Sequence, residues 1–567
     1  MIIKERNLKD QVQEILHYCF LTAQSRSSFY RSNRDWYYGG GDSCVVNRIK
    51  PIVDRMISIV YSTEGIRWWI DSPKSEEATF DNAVLESAID VFNDEWDELG
   101  GRSAISEGIR DGFINGCGVF QWSSYKERCE LFRIPTEMFG VYREDIEELD
   151  RQEAVALRSY ISKHELIRWT KAIGIFNESV RRLIETLSSE WAPMGDEKGG
   201  VSVGDEKIIA GSPYPDWSFS RAASNVQQLA GKPYDSVPIP NAPDMLYNAI
   251  VKAPVIPIEI LWVWDDVLSD YRVFHLLPNG VLIYDSFDKD LGGNPERPNP
   301  FVPGEIPFFI LRPFEANSYF WGFSFVGYLA PVQRWYNTRL ASFDKAFEKS
   351  LDPSLVIKSP REVTRQMADA FHHAQGFIQF TQPHEDAVPI YPQIPQTVIE
   401  GFKMVEQAFA DMAMLAPVLM GEGERGARSS DQYYQMIRAA SAPMKDIALR
   451  IETGLERGGQ LLLHWLKAHS NRRIFTRAGN HAVFAQLSDN VKVKIDGHSH
   501  SPVFVEDSMQ MGLLLYKLGI IDDETLVDYL RPKLYSLIKA RQPEIQKKKE
   551  QAAILQMILG GRAKGRR

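Results

Sequence analysis

Two long helices with matching apolar seams, joined by a proline-bounded segment, constrain this chain more than any other feature of its 567 residues. Ser324 is placed to cap a helix running to about residue 349. Along it Leu329, Gln333, Tyr336, Leu340, Phe343 and Phe347 recur at 4-3-4-3-4 spacing. That near-heptad period keeps one face on a partner helix. At 1.5 Å per residue the rod is about 37 Å long. Thr397-x-x-Glu400 is a capping box that opens a second helix. Its seam is Val398, Phe402, Val405, Phe409 and Met412, and Pro417 bounds it. Between the two lie Pro353, Pro360, Pro383, Pro389, Pro392 and Pro395. Rods with a single apolar stripe must bury it, and two such helices thus flank a proline-bounded module.

The length allows roughly three or four folding units. A hydrophobic fraction of 44% and a charged fraction of 25% are ordinary for a globular protein. Helices are predicted over 10–35, 45–60 and 75–115, with a strand over 66–70 in IRWWI. Short strands follow in VFQWSSY, CELFRIP and FGVY, and Ser162-x-x-Glu165 opens a helix to about Leu187. Residues 190–254, rich in Gly, Pro, Ser, Asp and Asn, read as a long irregular excursion. A β meander is expected over 256–264, 271–277, 280–284 and 306–311. After the hairpin, a long helix over 431–470 should kink at Pro443. Gly454, Gly458 and Gly459 weaken that helix, so packing must hold it. β-rich sequence returns over 474–495, and helices follow from Glu506. The fold class is α+β.

The four cysteines, Cys19, Cys44, Cys117 and Cys129, form no C-x-x-C pair, which argues against zinc or a disulfide framework and fits a reducing compartment. No apolar run reaches the ~18–20 residues of a membrane span, and the first residues lack a signal-peptide core, so synthesis in the cytoplasm with no membrane partner is expected. Net charge is −10, but residues 531–567 hold eleven Lys/Arg against two Asp/Glu; the tail is +9 and the remainder −19. An acidic body disfavours tight, static nucleic-acid binding and suits a surface past which DNA slides. Solubility is the plainer explanation of the same charge.

Gly421-x-Gly423-x-x-Gly426 spells a dinucleotide fingerprint, but helices flank it where a strand should precede. A flexible inter-helical loop is the better reading. Asp496, His498 and His500 offer metal-ligand chemistry with no fourth ligand, which reads as a polar turn. There is no phosphate-binding loop and no nucleophile in a recognisable motif. The expectation is no enzyme, no cofactor and no metal.

Several stretches together resemble the portal (head–tail connector) proteins of tailed bacteriophages, the short-tailed type especially. These are Asn47-Arg-Ile-Lys-Pro-Ile-Val53 before IRWWIDSP; Ile306-Pro-Phe-Phe309 and Trp321-Gly-Phe-Ser324 leading into the helix with Gln333 and Asn337; and Leu518-Gly-Ile-Ile-Asp-Asp-Glu-Thr525. The resemblance implies a wing at 1–323 and stem helices at 324–349 and 397–416. It places a clip at 350–396 and a tunnel loop at 417–430. The long kinked helix and return to the wing fall at 431–503, and an α-helical crown with the basic tail at 504–567. It implies a ring, typically a dodecamer, at one capsid vertex of the virion, forming the DNA channel for viral genome packaging and ejection. The implied partners are further copies of the chain, double-stranded DNA, the terminase packaging motor, tail adaptor proteins, and the major capsid and scaffolding proteins. In the tunnel loop Arg425 and Arg428 are the candidate DNA-facing groups, with Glu422 and Glu424 keeping those contacts weak. The alternatives are another virion connector, a nucleic-acid enzyme lacking recognisable motifs, or a cellular scaffold.

Overall fold

The chain opens with α1 (Leu8–Cys19) and α2 (Ala23–Tyr38), then α3 (Ile49–Val60) and β1 (Trp68–Asp71). The computed structural model describes residues 8–39, 46–61, 66–71, 88–93, 96, 101–125, 128–190, 255–277, 280–351, 354–358, 386–390, 396–413, 442–469, 474–475, 481–482, 484, 487, 491–495, 512–520 and 526. Where one helix is predicted over 10–35 there are two. A turn over 20–22 separates them, and Thr22 gives its hydroxyl to the Glu144 carboxylate. Asn47 starts α3, its side-chain oxygen accepting from the amides of Ile49 at 3.0 Å and Lys50 at 3.2 Å.

A helical segment at 88–93 and α4 (Gly101–Asn115) precede the strands β2 (Gly118–Tyr125), β3 (Arg128–Ile134), β4 (Phe139–Val141) and β5 (Ala154–Ser162). The helix expected to reach Leu187 is again two, α5 (Lys163–Ala172) and α6 (Glu178–Glu190). Gly174 ends the first at φ +80°, a left-handed conformation that glycine adopts without strain. The excursion over 191–254 lies outside the described residues. The strands β6 (Val255–Asp265), β7 (Asp270–Leu277), β8 (Val281–Asp285) and β9 (Phe308–Leu311) follow.

Five strands form one antiparallel sheet in the order β4-β5-β6-β7-β8. Period-2 alternation assigns its faces. Ala154 and Ala156, Leu261 and Val263, and Phe274 and Leu276 pack on Val12, Ile15, Leu16 and Cys19 of α1. The intervening Val155, Leu157, Ile260 and Trp262 turn into the main core. The fourth strand of the expected meander does not join. β9 instead pairs with β2, in a three-stranded sheet ordered β3-β2-β9. Local sequence carries no information on that switch, because β9 finds its partner in residues almost two hundred positions earlier.

The chain then continues through α7 (Phe325–Leu351), β10 (Ser354–Lys358), β11 (Asp386–Ile390), α8 (Gln396–Met412), α9 (Ala442–His469), β12 (Ile474–Phe475), β13 (His481–Ala482) and β14 (Lys492–Ile495). The architecture is mixed helix and sheet, as expected. α9 returns to the body: Met444, Ile447, Ile451, Leu455, Leu462 and Leu466 are buried in the main core. Its glycines make that approach possible. A Cβ on Gly454 would lie 2.5 Å from the Ile310 carbonyl oxygen, and one on Gly458 would lie 2.7 Å from the Phe309 ring. Pro443 is the second residue of the described helix. The turn against which a kink would be measured lies outside the described residues.

β14 pairs with β1, Trp68 opposite Ile495 and Ile70 opposite Val493. A two-stranded ribbon leaves two edges of unpaired backbone groups, and side chains close both. Asn93 accepts from the Trp68 amide at 2.8 Å and donates to the Trp68 carbonyl at 3.1 Å. On the far edge Gln460 accepts from the Val493 amide at 2.8 Å and donates to the Val491 carbonyl at 3.1 Å. Glu456 accepts from the Ile495 amide at 3.2 Å.

Candidate functional site

The helix pair α7/α8 is the most distinctive surface feature, and its root is fixed by buried hydrogen bonds. Ser324 is the N-cap of α7. Its Oγ accepts from the Gly327 amide at 2.9 Å and from Asn33 Nδ2 at 3.0 Å, and donates to the Ile114 carbonyl. One buried hydroxyl therefore ties α7 to α2 and α4. Ser324→Ala is expected to cost about 1–2 kcal/mol, because a cap is lost and Asn33 and Ile114 are left with buried unpaired groups. A lower thermal midpoint with an unchanged circular dichroism spectrum would register this.

Gln333, read from the sequence as part of the seam, serves instead as an anchor. It is fully buried and accepts from the Arg48 amide at 3.0 Å. Its amide donates to the Val46 carbonyl at 2.9 Å and to Asn337 Oδ1 at 2.8 Å. Leu329 likewise points into the main core of the body. The reason is geometric: the apolar stripe of α7 meets the body over its first two turns and α8 only beyond them. Pro331 sits inside α7. It removes one amide donor near the start, and α7 runs on past it.

Beyond the root, Val332, Tyr336, Val405 and Phe409 form a separate buried cluster, with Leu340, Phe402 and Met412 packed on it. Tyr336 meets Phe409 edge-on at 6.1 Å between ring centroids, and Phe343 meets Phe402 edge-on at 5.6 Å. Phe347 is exposed and stacks on Phe343 at 6.5 Å. Val398 lies in the first turn of α8. Arg48 holds the outer side, 3.0 Å from Glu406 and 5.5 Å above the Tyr336 ring. At such an exposed position the ion pair contributes about 0–1 kcal/mol, so the aromatic contacts hold the hairpin. At its far end β10 and β11 pair antiparallel, Leu355 opposite Pro389. That ladder joins the two ends of the module predicted between the helices.

The tunnel-loop candidates Arg425, Arg428, Glu422 and Glu424 lie outside the described residues, as do the glycine-rich motif around them, Asp496, His498 and His500, and the basic tail. Among the described residues no group of three or more His, Cys, Asp or Glu side chains is placed to hold a metal, and no helix is long and apolar enough to cross a membrane. Burial pushes the Cys19 and Cys117 thiols up to about 12, which leaves them inert as nucleophiles. His275 is pushed down to about 3 by burial and stacks on Trp169 at 4.9 Å, a neutral core side chain.

No family model matches the chain, and no curated protein matches it in sequence. Among solved structures it is similar to a chain in the virion of a native gene transfer agent (GTA) particle, at 11% identity and TM-score 0.39, over 88% of this chain and 92% of that one. The same values hold for a chain in the neck of an empty GTA particle computed with C6 symmetry. For the neck of the native GTA particle computed with C12 symmetry, identity is 10% and TM-score 0.38, over 85% of this chain and 90% of that one.

Proposed function

We propose that this chain is a non-catalytic ring subunit of the portal type, standing at one vertex of a virion capsid and enclosing the channel through which DNA is packaged and ejected. The observation that carries the reading is the α7/α8 hairpin. An antiparallel helix pair rises from an α+β body, sealed by its own aromatic seam, and bears a small β-closed module at its tip. Such a rod presents the same two sides on every copy, which is what a heterologous interface needs to close into a ring. The module would dock a packaging motor or tail proteins. Arg425 and Arg428 in the glycine-rich loop after α8 would guide phosphates of any sequence, since backbone contacts carry no sequence information.

Native mass spectrometry tests the assembly. Twelve copies of the 64.6 kDa chain give a closed particle of roughly 0.8 MDa. A species that stays monomeric or dimeric under all assembly conditions overturns the reading. A complementation assay with Arg425→Ala/Arg428→Ala tests the loop. The expected outcome is normal rings with reduced packaging yield or genome retention; wild-type packaging would leave the loop as a linker only.

A further inference from the structure

Gln460 closes one edge of the β1/β14 ribbon, and its remaining contact is a titratable side chain. Val493 offers an amide N–H, so the Gln460 atom 2.8 Å away has to be the oxygen. Val491 offers a carbonyl, so the atom 3.1 Å from it has to be the nitrogen. The backbone of β14 thus fixes which way round the amide lies. The second hydrogen of that nitrogen is left for His464 Nε2, 2.6 Å away. Nε2 therefore accepts, and the ring proton sits on Nδ1, which donates to Glu305 at 2.7 Å. The closed ribbon requires a neutral His464.

We propose that His464 is a proton-sensitive latch on the ribbon: when it takes a second proton, Gln460 turns over and releases β14. A proton on Nε2 would face the Gln460 nitrogen donor to donor. Turning the amide over gives the imidazolium an acceptor. It also sets the nitrogen against the Val493 N–H and the oxygen against the Val491 carbonyl, so both bonds to β14 are lost. The surrounding charges do not decide this sign. Among the described residues, Glu305 lies 3.5 Å from Arg457, and Arg457 lies 2.7 Å from Asp150. Tyr271 faces Asp150 and Arg457 and stays neutral, its hydroxyl pushed up to about 12 by burial. Lys467 is one turn further along α9. β9 and the core face of α3, Ile49, Val53 and Met56, bring no ionisable group. All of these stand beside His464 whether or not β14 is seated, so they act on both states. Lys492 and Lys494 of β14 are exposed and leave with the strand, which favours the same direction. The ribbon is therefore firm while His464 is neutral and loosens as pH falls through the imidazole range, from about 8 to about 5. The rival cause on the same strand is Glu456, which accepts from the Ile495 amide at 3.2 Å. This inference does not depend on the ring reading.

Hydrogen exchange of the β14 amides in the full chain tests it, expressed as protection relative to the free-chain rate at each pH. Between about pH 8 and about pH 5, protection of Val493 is expected to fall about tenfold, the change carried by one or two net hydrogen bonds. The β6 and β7 amides serve as the internal reference. His464→Asn keeps a donor toward Glu305 and has nothing to protonate, so it is expected to lose the response. Glu305→Gln and Glu456→Gln keep an acceptor at each position and remove the rival titrations. Both are expected to keep the fall, with Glu305→Gln moving it to lower pH, since the carboxylate favours the imidazolium. A fall that vanishes in Glu456→Gln or Glu305→Gln assigns the proton to that carboxylate and overturns the proposal. So does a wild-type ribbon whose protection is the same at both ends of the range, or a full response in His464→Asn. If His464→Asn leaves the ribbon open at every pH, a wild-type fall retained in both glutamine variants still supports the latch.

Discussion

Arg272→Met is expected to lower the stability of the large sheet by about 3–5 kcal/mol, the range for removing one partner of a buried ion pair. Asp285 is fully buried at the end of β8. Arg272 on β7 donates to its two oxygens at 2.8 and 2.5 Å. The guanidinium also lies 5.2 Å from the centre of the Phe274 ring and 5.0 Å from that of Phe287. With Arg272 gone the carboxylate keeps the Phe287 amide, at 3.0 Å, but loses its counter-charge in a medium that cannot solvate it. Hydrogen exchange of the β7 and β8 amides, followed against urea, reads the loss directly. The double variant Arg272→Met/Asp285→Leu should recover part of it, because an apolar pair of similar volume is often as stable while buried Asp265, 4.0 Å from the guanidinium, still loses its counter-charge. A single variant within 1 kcal/mol of wild type, on the scale of an exposed pair, would show that the pair is solvated.

Phe120→Ala is expected to cost about 3–5 kcal/mol, the range for truncating a fully buried aromatic. The Phe120 ring stacks on Phe309, its cross-strand partner, at 4.8 Å and 8° between planes. Two helix backbones clamp the pair. A Cβ on Gly108 would come within 2.0 Å of the Phe120 ring, and one on Gly458 within 2.7 Å of the Phe309 ring. The order is thus α4 backbone, ring, ring, α9 backbone, so along that line only backbone could move into a gap. The cavity term should therefore be near its full size. Loss of tryptophan emission contrast at lower denaturant than wild type would measure it, since Trp122 on the same strand donates to the Gly458 carbonyl at 2.9 Å. Retention of the wild-type midpoint would mean that the helices close on the void.

What was legible in the sequence was what repeats at short range. The seams of α7 and α8, the Ser324 cap and the β-rich runs of β6 and β7 are local patterns, and a local pattern states its own geometry. The partner of β9 and the pairing of β1 with β14 depend on residues far away in the chain, and no period announces them. Gln333 looked like seam because its spacing is right; only the position of Arg48 and Val46 reveals it as an anchor. The glycines of α9 were legible as a weakness to be compensated, but not as a groove cut for Phe309 and Ile310. Buried pairs such as Arg272–Asp285 and Arg133–Asp111 have no local signature, because alternation along one strand does not say which face of a sheet is wet.

The pairing of β1 with β14 also sets a clock on synthesis. Trp68 waits for Ile495, so the ribbon cannot close until nearly the whole polypeptide has been made. At the usual pace of translation that interval is roughly 20–80 s. The hairpin is thus threaded out as a loop between two halves of a body that locks only when its last strand arrives. A chain cut short anywhere in that interval lacks the strand that shuts the body. A ribbon closed in this order marks a chain that has been read at least as far as Ile495 before it meets a neighbour.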